Sequence, residues 1–330
     1  MTPRRLAVVL VAALIAGACT SAPAEVVSPT ATGPVVRVGS GPEAESQLLA
    51  AILEELLTAE GFRPVVVERA DAGAARQALE VGDVDVLPGY TGQAWLEVLG
   101  RPNPPGDPRT SFARVRSVDE ANGILWLRPS FDLDAGLDGP PANATFGLFV
   151  RGIPSRDADL RTIAQLATRL SERLAERPDT RVCVDPQFGV RPDGWEVVAT
   201  TYSIADLELT GVAPRDAIRG VAAGECLVGL GTTTDGDAWH AGLRLLEDPL
   251  QVFPAFVVAV QVRQEVVEAQ PSLVAALEPF TAYLTTRLLG TWNGRVAGGE
   301  DPRTVAATAA AALRRAAGRD LPPPAPTETD

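Results

Sequence analysis

Val35–Tyr90 reads VVRVGSGPEAESQLLAAILEELLTAEGFRPVVVERADAGAARQALEVGDVDVLPGY, and its periodicity decides the fold class. Val35–Gly39 is a short apolar strand. From Glu45 to Gly61, residues Leu48, Leu49, Ile52, Leu53, Leu56 and Leu57 recur at helical spacing on one face, and Gly61 is placed to end the helix. Val65–Glu68 reads as a second strand, Ala72–Glu80 as a second helix and Val84–Leu87 as a third strand ending at Pro88-Gly89-Tyr90. This strand–helix alternation calls for a parallel sheet with right-handed crossovers.

Downstream, the pattern restarts. Thr145–Val150 is a strand, Leu160–Leu174 an amphipathic helix and Arg181–Val184 a strand. A helical stretch near Trp195–Tyr202, strand Leu207–Thr210, helix Pro214–Ala223 and strand Cys226–Leu230 complete a second α/β unit. A long strand, Ala255–Val262, and helices through Arg315 follow. Two such units predict two lobes with a cleft between them. Ligands of open parallel sheets bind beyond the carboxyl ends of the strands, here the loops after Gly39, Leu87, Asp185 and Leu230.

The chain ends frame this folded part. Arg4 and Arg5 precede an apolar run, Leu6–Ile15, that is too short to span a bilayer. Ala16-Gly17-Ala18-Cys19 then resembles a bacterial lipobox, in which Cys19 is diacylated and anchors the chain to the outer face of the cell membrane. The other reading is a plain secretory signal with an incidental cysteine. Residues 20–33 are small and Pro/Thr/Ala-rich, as in a flexible tether, and residues 320–330 read as a disordered tail. Cys183 and Cys226 remain. In an exported protein such a pair forms either a disulfide or two buried thiols.

Composition excludes some functions. The formal net charge is −13, which disfavours nucleic-acid binding by counterion release. All 29 basic residues are arginines, so no lysine is present for Schiff-base chemistry.

The runs VRVGSGPEAESQLLAAILEELL, ALEVGDVDVLPGYTGQAWLEVLG, ILWLRP, NATFGLFV, FGVRPDGW, GECLVGLGTTTDG and LRLLEDPLQVFPAF resemble, in order, the substrate-binding proteins of glycine betaine/choline/proline-type ABC importers. The resemblance covers about Val35 to Leu313. It implies a type II periplasmic-binding-protein fold, with lobe 1 from residues 34–143 and 249–319 and lobe 2 from residues 144–248. Hinge strands are implied near Asn143–Phe146 and Asp248–Phe256. It also implies capture of a small quaternary-ammonium solute and delivery to ABC permease and ATPase subunits, with no catalysis, cofactor or metal.

Family members surround the quaternary nitrogen with aromatic rings, because a trimethylammonium cannot donate a hydrogen bond but is attracted to a ring face. By resemblance Tyr90, Phe146 and Phe256 occupy such box positions, and Arg191 matches the arginine that meets the ligand carboxylate, a role suited to its planar fork. Thr232 stands where the family has another box residue. Ser40 opens the stretch that replaces a family lysine, Gln93 stands in for a threonine, and Trp195 either lines the cleft or packs its lobe. With fewer rings, a trimethylammonium head is gripped less completely. A more apolar or aromatic ligand is therefore the alternative, as is a sensor without a transporter.

The remaining polar residues read more plainly. Asp235 is expected to cap a turn or helix. His240, the only histidine, makes neither a zinc site nor a nucleophile triad. Asp132, Asp134 and Asp138 lack calcium-loop spacing and read as a solvated face.

Overall fold

The computed structural model describes residues 33–131, 139–152, 159–176, 180–191, 194–204 and 209–319. Cys19, the tether before residue 33, Asp132, Asp134, Asp138 and the tail from residue 320 lie outside them.

The first lobe opens with β1 (Val35–Ser40), α1 (Ala44–Ala59), β2 (Arg63–Glu68), α2 (Ala72–Val81) and β3 (Val86–Tyr90). α3 (Thr91–Glu97), α4 (Pro108–Glu120) and β4 (Ile124–Leu127) follow. The second lobe contains β5 (Phe146–Val150), α5 (Ile163–Glu176), β6 (Val182–Val184), α6 (Pro186–Val190) and α7 (Trp195–Thr201). It continues through β7 (Leu209–Gly211), α8 (Pro214–Ala223), β8 (Val228–Thr232), α9 (Gly236–His240) and β9 (Arg244–Leu245). The chain then returns to the first sheet with β10 (Val258–Arg263), followed by α10 (Gln264–Ala269), α11 (Ser272–Tyr283), α12 (Thr286–Ala297) and α13 (Pro302–Ala316).

The first sheet has the order β2-β1-β3-β10-β4. β1 is parallel to β2 and β3, as crossover helices α1 and α2 require. β10 runs antiparallel to β3 and β4, a departure from the expected parallel sheet. It arrives from the other lobe rather than through a crossover helix, so nothing imposes the parallel direction. β3 also continues through Pro88 to Tyr90 instead of stopping at Leu87. β1 meets β3 only at Val86, so no ladder partner on that side requires the amide that Pro88 lacks.

The α1 stripe behaves as its spacing predicts. Leu48, Leu49, Ile52, Leu53, Leu56 and Leu57 are completely buried and form one core with α11, α12 and α13. Each such side chain contributes about 1.5–3 kcal/mol of burial. α2, α3 and α4 cover the opposite face with Leu79, Ala94, Phe112 and Val115, in one cluster with Trp126 of β4.

The second sheet has the order β7-β6-β8-β5-β9. Its faces are covered by α5, α6 and α7 on one side and by α8 and α9 on the other. Cys183 in β6 and Cys226, just before the neighbouring β8, are joined by a disulfide. Their Cα atoms are 6.0 Å apart, an ordinary bridging span.

Two segments join the lobes side by side. Asn143 and Val257 form an antiparallel bridge. Ala144 N–H donates to Phe256 O at 2.9 Å, and Val258 N–H donates to Ala142 O at 2.7 Å. The stretch expected as strand from Ala255 is therefore crossing segment up to Val257, and β10 begins after it. A third attachment is α12. Leu289 and Trp292 sit in the first-lobe core, whereas Gly290, Gly294 and Gly298 face α9 of the second lobe. Trp239 lies on Gly290 and His240 against Gly298, where any Cβ would collide with their rings.

Candidate functional site

β3 ends at Tyr90 in the first lobe, and in the second β8 ends at Thr232, which pairs with Phe146 at the start of β5. Tyr90 is the N-cap of α3, held in extended geometry. The next residue fixes it from both sides: Thr91 N–H donates to Val257 O, and Val257 N–H donates to Thr91 Oγ1, each at 3.0 Å. Gly92 follows, and the ring of Phe256 occupies the space a Cβ would take. The glycine after Tyr90-Thr91 thus allows the Phe256 ring to lie against the first turn of α3.

The Tyr90 hydroxyl donates to Glu45 Oε1 at 2.6 Å. The other carboxylate oxygen, Oε2, accepts from Asn293 Nδ2 at 2.5 Å, and the same amide nitrogen donates to Thr234 O at 2.9 Å. Thr234 lies in the turn after β8, so this chain of bonds ties the first lobe to the second. Burial, then the Glu45 charge and its hydrogen bond, push the Tyr90 phenol well above its ordinary value. Tyr90 therefore remains a neutral donor.

A second route leads from Tyr90 to the same turn. Phe256 connects through its carbonyl to Ala144, and Phe146 pairs in register with Thr232. The Phe146 ring is 5.2 Å from that of Phe188, and the Arg191 guanidinium carbon is 5.6 Å from the Phe146 ring centroid. Phe146 is thus already engaged by a ring and a cation of its own lobe.

The other expected site residues divide. Thr232 is exposed at the end of β8, and Gln93 lines a small first-lobe cavity of about 220 Å³ together with Tyr90, Gly41 and Ser46. Gln93 Nε2 turns toward the Glu97 carboxylate at 3.2 and 3.3 Å. Ser40 does not face the cleft: it is 1% exposed, and its hydroxyl donates to the adjacent Gly41 O at 2.8 Å. Trp195 likewise packs its lobe, 6% exposed in the core of the second sheet. For Ser40, burial leaves the side chain no surface to offer a ligand, and for Trp195 the structure shows the lobe packing, one of its two readings. Asp235 caps α9 as expected, accepting from Ala238 N–H at 2.9 Å.

A larger cavity, about 900 Å³, lies beside the crossing segments and takes residues from both lobes, among them Asn143, Thr145, Phe146, Thr233 and Phe253. Glu45, Asn293 and Thr234 were not legible as site residues. Glu45 is one of several acids in GPEAESQ, and Asn293 is a single amide in a helix. The only sequence signal is that Asn293 stands among Gly290, Gly294 and Gly298, small residues that admit a neighbouring element.

The comparisons agree with this architecture. Residues 34–312 match the OpuAC family, described as the substrate-binding domain of ABC-type glycine betaine transport systems. The chain is 28% identical over 272 residues to a glycine-betaine-binding protein of Pseudomonas aeruginosa, covering 79% of this chain and 82% of that one. It is 27% identical over 315 residues to the glycine betaine-binding protein YehZ of Escherichia coli, covering 89% of this chain and 93% of the relative. The structure of apo YehZ superposes with a TM-score of 0.71 at 26% identity, over 83% of this chain and 96% of YehZ. A glycine betaine/carnitine/choline transporter structure gives 0.71 at 21% identity, over 85% and 99%, and shares the fold. With the family match spanning both sheets and the cleft between them, the chain belongs to the OpuAC family of substrate-binding domains of ABC-type glycine betaine transport systems.

Proposed function

We propose that the cleft captures a small quaternary-ammonium zwitterion of the glycine betaine class and hands it to ABC permease and ATPase subunits outside the cytoplasm. The lobes in this reading are residues 34–143 with 249–319, and residues 144–248. The chain is held at the membrane by a lipid on Cys19. The carrying observation is the separation of charge and aromaticity: Tyr90 beside the Glu45 carboxylate, with Phe256 packed on Gly92 two residues on, and Arg191 over Phe146 of the second lobe. The quaternary head goes to the Tyr90–Phe256 side, where a ring face contributes up to ~2 kcal/mol when desolvated. The ligand carboxylate goes to Arg191.

Calorimetric titration with glycine betaine, choline, proline betaine and carnitine tests this. Glycine betaine binds in the expected outcome, and Arg191→Ala weakens it by at least about tenfold, the scale of a lost charge-assisted hydrogen bond. Choline, which has no carboxylate, is affected far less. If none of the four binds, the reading is wrong. One observation favours a second reading, a more apolar or aromatic ligand: Phe146 and Phe253 line a cavity of about 900 Å³, larger than glycine betaine needs.

A further inference from the structure

Glu45 is half-buried at the cleft, and both of its oxygens are held by neutral donors, the Tyr90 hydroxyl and the Asn293 amide. Among the described residues no arginine is paired with it, whereas Asp85, Asp119 and Glu60 all have arginine partners. Nearby Glu43 adds charge of the same sign, felt at the Tyr90 phenol. Beside those two donors, Glu45 also gains from its place in the N-terminal turn of α1. A half-buried carboxylate without a counter-charge interacts favourably with a cation that arrives beside it.

We propose that Glu45 is a charge-selecting residue of the cleft, positioning the Tyr90 ring and supplying a negative charge that strengthens the preference of the site for a cationic head group over a neutral one of the same shape. It acts without touching the ligand. Its hydrogen bond fixes the plane of the ring, and its charge polarises the Tyr90 hydroxyl so that electron density is pushed into the ring that meets the cation. Asn293 prevents the carboxylate from swinging away, because its amide is committed at once to Glu45 and to Thr234 of the second lobe. The rings themselves favour a trimethylammonium over a tert-butyl group through the ring quadrupole, although both bury the same methyl surface, and the Glu45 charge adds to that preference.

This inference rests on the zwitterion reading, and its test separates the two. The probes are glycine betaine and 3,3-dimethylbutanoate, which replaces the ammonium nitrogen by carbon and keeps the carboxylate. In the unmodified protein glycine betaine binds more tightly. Glu45→Gln reduces the ratio of the two affinities by about tenfold, the effect of one charge acting across several ångströms of partly dry protein. Glu45→Asp, which keeps the charge but withdraws it by one methylene, gives an intermediate ratio. Thermal melts verify that each variant is folded, and should Glu45→Gln fail to fold, the Glu45→Asp ratio carries the test. If glycine betaine binds but the ratio is unchanged in the folded variants, Glu45 does not select charge. If the unmodified protein binds neither probe, the zwitterion reading fails instead.

Discussion

Gly92 illustrates how a single absent side chain builds this site. The Phe256 ring fills the volume where a Cβ would project, so the placement of Phe256 depends on a residue with no side chain of its own. Gly92→Ala must push that ring aside, and overpacking of this kind costs about 1–3 kcal/mol. The expected result is a lower urea midpoint together with weaker ligand binding. In a Phe256→Ala background the same substitution costs much less, because the clash is gone; equal costs in both backgrounds would disprove the contact. Residues like Tyr90, Phe256 and Arg191 could be named from motifs. Glu45, Asn293 and Thr234 could not, because they are separated by up to 248 positions and meet only through tertiary packing. Conversely Trp195 and Ser40 carried motif positions, but the fold buried them. Sequence offers residue type, while burial is decided by the neighbouring elements.

Among the elements, the long periodic ones were legible and the short ones were not. α1 and α8 follow directly from their apolar spacing, and α8 spans Pro214–Ala223 as expected. α6 and α9 have five residues each, too few for a helical period to show, and exist because Asp185 and Asp235 cap them. The Asp235 cap also makes a pH prediction. Burial raises its carboxyl above the ordinary range, opposed by the Ala238 hydrogen bond and reinforced by the Asp237 charge. The charged form is therefore disfavoured in the folded state. That penalty is absent below the unfolded pKa and complete above the folded one. Asp235→Asn keeps the acceptor and removes the charge. Its stability advantage in urea denaturation should be present at about pH 7 and shrink as the pH falls toward about 4. An advantage that grows on acidification would contradict the assigned direction.

At the scale of the molecule, the two-lobe reading and the crossings near Asn143 and Phe256 were legible, whereas the antiparallel direction of β10 and the docking of α12 on α9 were not. Both depend on how the returning chain meets elements far away in sequence. The second lobe also carries the disulfide, across a separation of 43 residues. Loop-closure entropy for a span of that size stabilises by about 4 kcal/mol. Replacing Cys183 and Cys226 together by alanine should lower stability by about 2–4 kcal/mol in guanidinium denaturation. The affinity for ligand should be retained, because the bridge lies behind the sheet rather than at the cleft.

The glycine face of α12 has a mechanical consequence. Gly290, Gly294 and Gly298 let Trp239 and His240 rest on helix backbone, and the crossing segments hold the second lobe at another place. A body pinned at two separate places has lost its translations and all but one of its rotations. The remaining degree of freedom is a turn about the line joining the pins, so the opening of the cleft is described by one angle.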